Sequence, residues 1–258
     1  MKQPDTTAEN KHCRAFELDM LRGLAVLMMI LHHLIFDLRY LFELDVFSFQ
    51  ESWWFDALLR PVFLFVFLTV SGICCTFSRS NSKRGIRMLL AAFLLTVATT
   101  LVWQVSGLEL AIFFNVLHLL ALGTLIYALM EKIITDASSF SGWLVFGAAL
   151  IIWGGSVLPQ VPQTNSPLLI PFGLLPENFV GMGDYLPIFP WLGFFLIGAV
   201  LGRLLYQSRC SRFTGVHPKF LRSIAPLTWL GRNALIVYIL HQPLLLAVLY
   251  LLRFIGIF

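Results

Sequence analysis

Residues 16–37 read FELDMLRGLAVLMMILHHLIFD. At about 1.5 Å per residue this run is long enough to cross a hydrocarbon core roughly 30 Å thick. Its ionisable residues are not scattered: Asp19, Arg22, His33 and Asp37, with Val26 and Met29 between them, recur at steps of three and four, which places all six on one stripe of an α-helix. Charged groups in lipid cost about 3 kcal/mol each, so such a stripe faces other helices while the apolar remainder faces lipid. Arg22 and His33 share that face about 16 Å apart in height, whereas His32 lies about 100° round the helix. The run predicts a spanning helix with a polar seam.

Comparable apolar windows lie at 53–78, 86–107, 110–130, 141–158, 186–206 and 226–252; with the first, at 16–42, they take up most of the 258 residues. The chain is 58% hydrophobic and only 12% charged, where soluble domains run near about 25% charged, so water is excluded as its main solvent. The expectation is an all-α integral membrane protein, a bundle of about seven transmembrane helices forming a single domain over 1–258. The first window follows fifteen mostly polar residues and carries Arg22, His32 and His33 inside it. A cleaved signal peptide has a short apolar core and a small-residue cleavage site instead, so this helix is expected to be retained.

Lys2, Lys11 and Arg14 precede the first helix; Arg79, Lys83, Arg84 and Arg87 lie between the second and third; Arg209, Arg212, Lys219 and Arg222 lie between the sixth and seventh. The positive-inside rule puts these segments, and the N-terminus, in the cytoplasm. The opposite connections carry Glu43, Asp45, Glu51, Glu109, Glu177 and Asp184, and seven helices satisfy every loop. The expected location is a bacterial inner (cytoplasmic) membrane, crossed many times. The same bias accounts for the net charge of +4 without a nucleic-acid partner. Cys13, Cys74, Cys75 and Cys210 then fall on or near the cytoplasmic side, where thiols are expected to stay reduced.

The stretch 159–185 holds five prolines and Gly173, Gly181 and Gly183, which forbids regular helix and reads as an outer loop, either a connector or a partial lid. Gly198 and Gly202 form a small-xxx-small face for close helix packing. No repeat with paired broken helices is visible. A proton-coupled transporter using Asp19, Arg22, His33 and Asp37 as a relay is therefore the alternative to an enzyme, not the leading reading.

Followed from their expected ends, the first, fourth and seventh helices bring His33, Asn115 with His118, and His241 to the outer half of the membrane. Each histidine alone could be interhelical hydrogen-bond glue; three at one level favour a site. Neither a His-x-x-x-His pair nor a carboxylate-rich shell is present, so no metal is expected. There is no Gly-x-Ser-x-Gly elbow, and Ser71 lies toward the cytoplasmic end, so a histidine general base is more economical than a serine nucleophile. Asp56 and Arg60 form an i,i+4 pair, read either as an interfacial ion pair or as an arginine pointing into an outer cavity. The inner cluster of Arg79, Lys83, Arg84 and Arg87, with Arg203 and Arg222, suits a phosphorylated cofactor, though topology alone also produces it.

The segment Glu17-Leu18-Asp19-Met20-Leu21-Arg22-Gly23, opening an apolar helix that ends in His32-His33, resembles the start of the heparan-α-glucosaminide N-acetyltransferase-like family. It also matches the Arg, ten residues, His pattern of the wider polytopic acyltransferase superfamily. Further matches follow in the family's order: Phe63 to Phe67 leading to Ser71-Gly72; Asn115-Val116-Leu117-His118; Pro190-Trp191-Leu192-Gly193 through Gly198; and Leu230-Gly231-Arg232-Asn233-Ala234-Leu235 ending at His241. The resemblance implies transfer of an acyl group, usually acetyl from acetyl-CoA, across the membrane to a glycan or other small acceptor on the outer side. It carries Arg22 and His33 as the motif pair, with Asn115, His118, Asn233 and His241 as neighbours.

A mechanism compatible with both lines has acyl-CoA entering from the cytoplasm, its phosphates held by the basic set Lys83, Arg84, Arg87 and Arg203. A neutral His33 then removes a proton from the attacking hydroxyl or amine, and Asn115 or Arg60 stabilises the oxyanion. Direct transfer and an acyl-histidine relay are both open, and a homo-oligomer is compatible with the chain.

Overall fold

The structure is a computed structural model that describes residues 14–107, 111–162, 165–176 and 184–258. The expectations placed on Lys2, Lys11, Cys13, Glu109, Glu177, Gly181 and Gly183 lie outside the described residues. Among the described residues regular structure is helical throughout: α1 Phe16–Phe36, α2 Arg60–Ile73, α3 Asn81–Ser106, α4 Val116–Ile133, α5 Ala137–Val157, α6 Trp191–Leu205, α7 Pro218–Ser223, α8 Ala225–Arg232 and α9 Ala234–Phe254. Six spans are long and apolar enough to cross a membrane, including Phe16–Leu41 and Phe55–Ile73, and α6 is a shorter seventh apolar helix. Large apolar side chains stand exposed along α3 and α5, among them Phe93, Leu94, Val105, Trp143 and Trp153. Surfaces of that kind are stable only against lipid, so this is a multi-pass membrane protein.

The chain divides into two compact units. The first comprises residues 1–46 and 204–258. Its centre is the crossing of α1 over α8, where a Cβ on Gly23 would collide with the Leu227 carbonyl and one on Gly231 with the Asp19 carbonyl. Two facing glycines let the backbones touch, and polar clamps fix the crossing. The Asp19 carboxylate takes Arg14 at 2.5 Å and Arg232 at 3.3 Å. Arg22 donates to the Gly231 carbonyl at 3.2 Å, satisfying one of the carbonyls that the end of α8 leaves open. Buried Glu17 accepts from the Ser211 hydroxyl and the Arg212 N–H, pinning the loop before α7 to the start of α1.

The helix expected over 226–252 is two helices, α8 and α9, separated at Asn233, whose backbone (φ −102°, ψ 19°) leaves the helical region. The side chain of Asn233 donates back to the Trp229 carbonyl at 2.9 Å, closing the end of α8. At the other end of α1 the chain widens into a π-helical stretch, Asp37–Leu41, closed by Phe42 N–H to the Asp37 carbonyl. Phe42 then packs against Tyr250 and Phe258.

The second unit comprises residues 47–203. A π-helical stretch, Phe55–Leu59, leads into α2. Gly72 and Gly198 bring α2 and α6 into backbone contact, since added Cβ atoms would meet the Phe195 and Thr69 carbonyls, and Gly202 sits against Ile73. The packing role expected of Gly198 and Gly202 is therefore what they have. Gly193 admits α5 through Ala148 and Ile152, and Gly85 on α3 receives Leu125 of α4.

The fourth helix starts at Val116, not near 110, with Asn115 as its N-cap. This corrects the expected depth of Asn115 and His118: they occupy the first turn of the helix and not a point partway along it. The proline-rich stretch forms short 3-10 turns at Leu158–Gln160 and Pro167–Phe172. The second turn is tied to the approach to α6 by Ile188 N–H to the Pro171 carbonyl and by the Tyr185 hydroxyl to the Ile170 carbonyl, 2.6 Å. Burial pushes the Tyr185 phenol up to about 12, so it stays a donor. Cys74 and Cys75 are thiols, but Cys210 is disulfide-bonded, which corrects the expectation of reduced thiols there. A cysteine's side of the membrane sets its redox surroundings; its pairing depends on which sulfur lies within bonding reach.

Replacing Gly231 with leucine should cost about 3 kcal/mol by forcing α8 off α1. Gly142, with nothing near its Cβ position, should tolerate alanine. Thermal melts of the two variants in detergent should show a large drop for Gly231→Leu and little change for Gly142→Ala.

Candidate functional site

In the first unit, α1 and α9 bring His33 and His241 together, their ring centroids 4.9 Å apart and their planes inclined at 69°. Both rings are oriented by their own helices. His33 Nδ1 lies 2.9 Å from the Met29 carbonyl, and His241 Nδ1 lies 2.6 Å from the Tyr238 carbonyl. A carbonyl only accepts, so each Nδ1 carries the hydrogen, and in the neutral ring the basic lone pair is on Nε2. His32, with its centroid 5.7 Å from that of His33, packs at the edge of the pair.

One turn beyond His33, Asp37 is buried to 3% exposure and takes Gln242 Nε2 on both oxygens, at 2.9 and 3.0 Å. This contact holds α1 to α9 immediately beside the histidines. Arg22 of the expected Arg–His pair is at the α8 crossing, on the stripe but toward the start of α1. The stripe is realised as predicted: Asp19, Val26 and Asp37 are buried, and α8 and α9 cover it.

In the second unit Asn115 is fully buried and caps α4. Its Oδ1 accepts from the Leu117 and His118 N–H groups, and its amide nitrogen reaches Asp184 at 3.4 Å. His118 closes a capping box with Asn115. Its Nδ1 lies 2.9 Å from Asn115 Oδ1, and its Nε2 lies 3.2 Å from Thr96 Oγ1, whose own proton goes to the Ile112 carbonyl. Both ring nitrogens are thus engaged in fastening the start of α4 to α3. In Asn-x-x-His the histidine takes the place that Glu or Gln has in the usual capping box, and read that way the spacing would have located the helix start.

The basic residues Lys83, Arg84 and Arg87 lie in the first two turns of α3, after the N-cap Ser80. Lys83 and Arg87 are exposed and Arg84 is half-buried against the Cys75 sulfur. Cations at a helix N-terminus oppose the macrodipole, an arrangement that a bound anion relieves. Arg203 is committed locally, donating to the Ser141 hydroxyl and the Ala137 carbonyl while stacking 4.5 Å over Phe140. Arg60 and Asp56 face each other at 3.9 Å with both side chains more than half exposed, which is the geometry of an interfacial pair. Ser71 is buried and donates its proton to the Phe67 carbonyl at 2.7 Å.

Sequence reasoning passed over Gln242, Glu17 and Asp184. Gln242 sits beside a singled-out histidine and Glu17 beside Asp19 in the same motif. Asp184 had been read only as a loop charge. Comparison with known proteins finds a family model, described as heparan-alpha-glucosaminide N-acetyltransferase, catalytic, that matches residues 14–243. No curated relative and no solved structure matches the chain.

Asn115→Ala should lower stability by about 1 to 2 kcal/mol, through loss of the cap, and Asn115→Ser should restore part of it. Melting temperatures in detergent would check both, and equal melting of Asn115→Ala and wild type would remove the capping role.

Proposed function

From membership of the heparan-alpha-glucosaminide N-acetyltransferase catalytic family, to which this chain belongs, we propose that it is an acyl-CoA-dependent membrane acetyltransferase whose general base is His33. The observation that carries the base assignment is the hydrogen bond from His33 Nδ1 to the Met29 carbonyl, which leaves Nε2 as the proton acceptor. The acceptor's hydroxyl or amine attacks the thioester carbonyl while His33 Nε2 takes its proton. The C–S bond of the tetrahedral intermediate then breaks, and the proton passes to the departing CoA sulfur. His241 is the partner ring, with Tyr238 fixing its tautomer as Met29 fixes that of His33. Arg22 acts from the α8 crossing by holding the helix that carries His33.

The donor is acetyl-CoA, and its phosphates are taken by Lys83, Arg84 and Arg87 at the start of α3, with Arg203 supporting the set from α6. Asn115 and His118 keep that helix and α4 in register. The acceptor is a glycan or small amine, the chain functions as one acyltransferase-like domain, and the N-terminus faces the cytoplasm of an inner membrane in accord with the charge bias of the loops.

Purified protein in detergent, given labelled acetyl-CoA with a panel of amino sugars and hydroxyl acceptors, should release CoA and label one of them. His33→Ala should slow that release about 10²- to 10⁴-fold. Release unchanged in the variant would overturn the base assignment, and no turnover by well-folded wild type would overturn the acetyltransferase reading.

A further inference from the structure

We propose that residues 209–224, which lead from the end of α6 through α7 to α8, form an interfacial anchor that selects anionic phospholipid headgroups from the leaflet it lies on. None of its residues belongs to the histidine pair or to the basic set of α3. Its depth, its fixed geometry and its two-faced chemistry point to this partner.

The depth is set by α1, whose apolar span Phe16–Leu41 begins beside the segment. Glu17 takes the Ser211 hydroxyl at 2.8 Å and the Arg212 N–H at 2.9 Å, and the Phe16 and Phe213 rings lie 6.4 Å apart. The chain then runs through α7 into α8, which crosses α1 at Gly23, about two turns from the same end. The segment therefore lies where α1 enters the lipid, at the level of the headgroups.

Its geometry is fixed by protein contacts. Arg212 donates through Nη1 to the Leu205 carbonyl at 3.0 Å, and the His217 ring caps α7 by accepting from the Lys219 N–H at 3.1 Å. Ile224 is buried at the turn into α8. Anchored at both ends, the segment presents its remaining side chains outward.

Those side chains are of two kinds. Between Tyr206 and Ile224 the sequence holds Arg209, Arg212, Lys219 and Arg222 and no acidic residue. Round α7, Phe220 and Leu221 lie about 100° and 200° from Lys219, and Arg222 lies about 300° from it, so the apolar pair and the cations take opposite sides of the helix. Every residue of α7 is exposed, and so is Phe213. At a bilayer edge both sides are satisfied: Phe220 and Leu221 enter the acyl boundary, and the long stems of Lys219 and Arg222 carry their charges to phosphate oxygens. A zwitterionic headgroup adds its own cation to that field, whereas an anionic one does not, so the charge balance of the segment favours the anionic lipid.

The test uses full-length protein in nanodiscs of phosphatidylcholine with and without phosphatidylglycerol, with amide hydrogen exchange followed along the chain. Phosphatidylglycerol should slow exchange over 213–223 about tenfold, and high salt should reverse part of that protection. The combined variant Arg209→Gln, Lys219→Gln and Arg222→Gln changes only exposed side chains; it should melt like wild type in detergent and lose the difference between the two lipids. Phe220→Ser with Leu221→Ser should speed exchange over the same residues in both lipids. Equal exchange of wild type in the two lipids, a difference that survives the triple glutamine variant, or its equal loss in Lys83→Gln with Arg87→Gln on α3 would overturn the anchor. None of these readouts requires turnover of acetyl-CoA.

Discussion

The approach of α1 to α8 is close enough that neither Gly23 nor Gly231 has room for a methyl group. In lipid, helices gain little from burying apolar area against one another, because hydrocarbon tails are as apolar as leucine; close van der Waals contact and interhelical polar bonds supply the association instead. That constraint explains why two short motifs far apart in the chain are built alike. Each places a glycine beside an arginine. Arg22 follows the crossing to the Gly231 carbonyl, and Arg232 returns to Asp19. The seam of α1 could not otherwise carry Asp19 into a bilayer, since it would be an uncompensated charge.

Fixing α1 at both ends has a mechanical result for the histidines between. The clamp at the start of α1 is ionic, and the one at its far end is the Asp37 to Gln242 contact. Because Asn233 interrupts the helix between α8 and α9, the two clamps act on separate rigid pieces, and His241 is placed by the second. The ring pair is therefore set by contacts a few residues away on either side, and each ring's tautomer by a carbonyl of its own helix. Such an arrangement leaves side-chain rotation little freedom.

Much of this was legible in the residues alone. The seam of α1 followed from steps of three and four between ionisable groups, because in a span that spacing has few other uses. The roles of Gly198 and Gly202 followed from their small-xxx-small spacing. The start of α4 was obscured because Ala111 to Phe114 are as apolar as the helix that follows, so hydropathy carried the window across a boundary that only capping chemistry marks. The break at Asn233 was hidden for a related reason: Leu230 to Leu235 contains good helix formers, and the interruption is enforced by the crossing at Gly231. Gln242 was missed because a neutral amide gains its meaning from Asp37, more than two hundred positions earlier, and no local pattern links them.

The π-helical stretch at Asp37–Leu41 sits between the histidine-bearing part of α1 and the aromatic anchor at Phe42. Its bonds reach back five residues instead of four, so the stretch houses one more residue than an α-helical turn of the same closure. A surplus residue stored there decouples two registers: what lies before it answers to α8 and α9, and what lies after it answers to Tyr250 and the chain's last residues. Single-residue insertions or deletions between 38 and 41 should thus be absorbed locally as a change of helix type. Between 23 and 36, the same change would turn every later side chain by about 100° and carry His33 or Asp37 out of the seam. The tolerance of α1 to length variation is accordingly concentrated in one turn, next to the residues that can least afford to rotate.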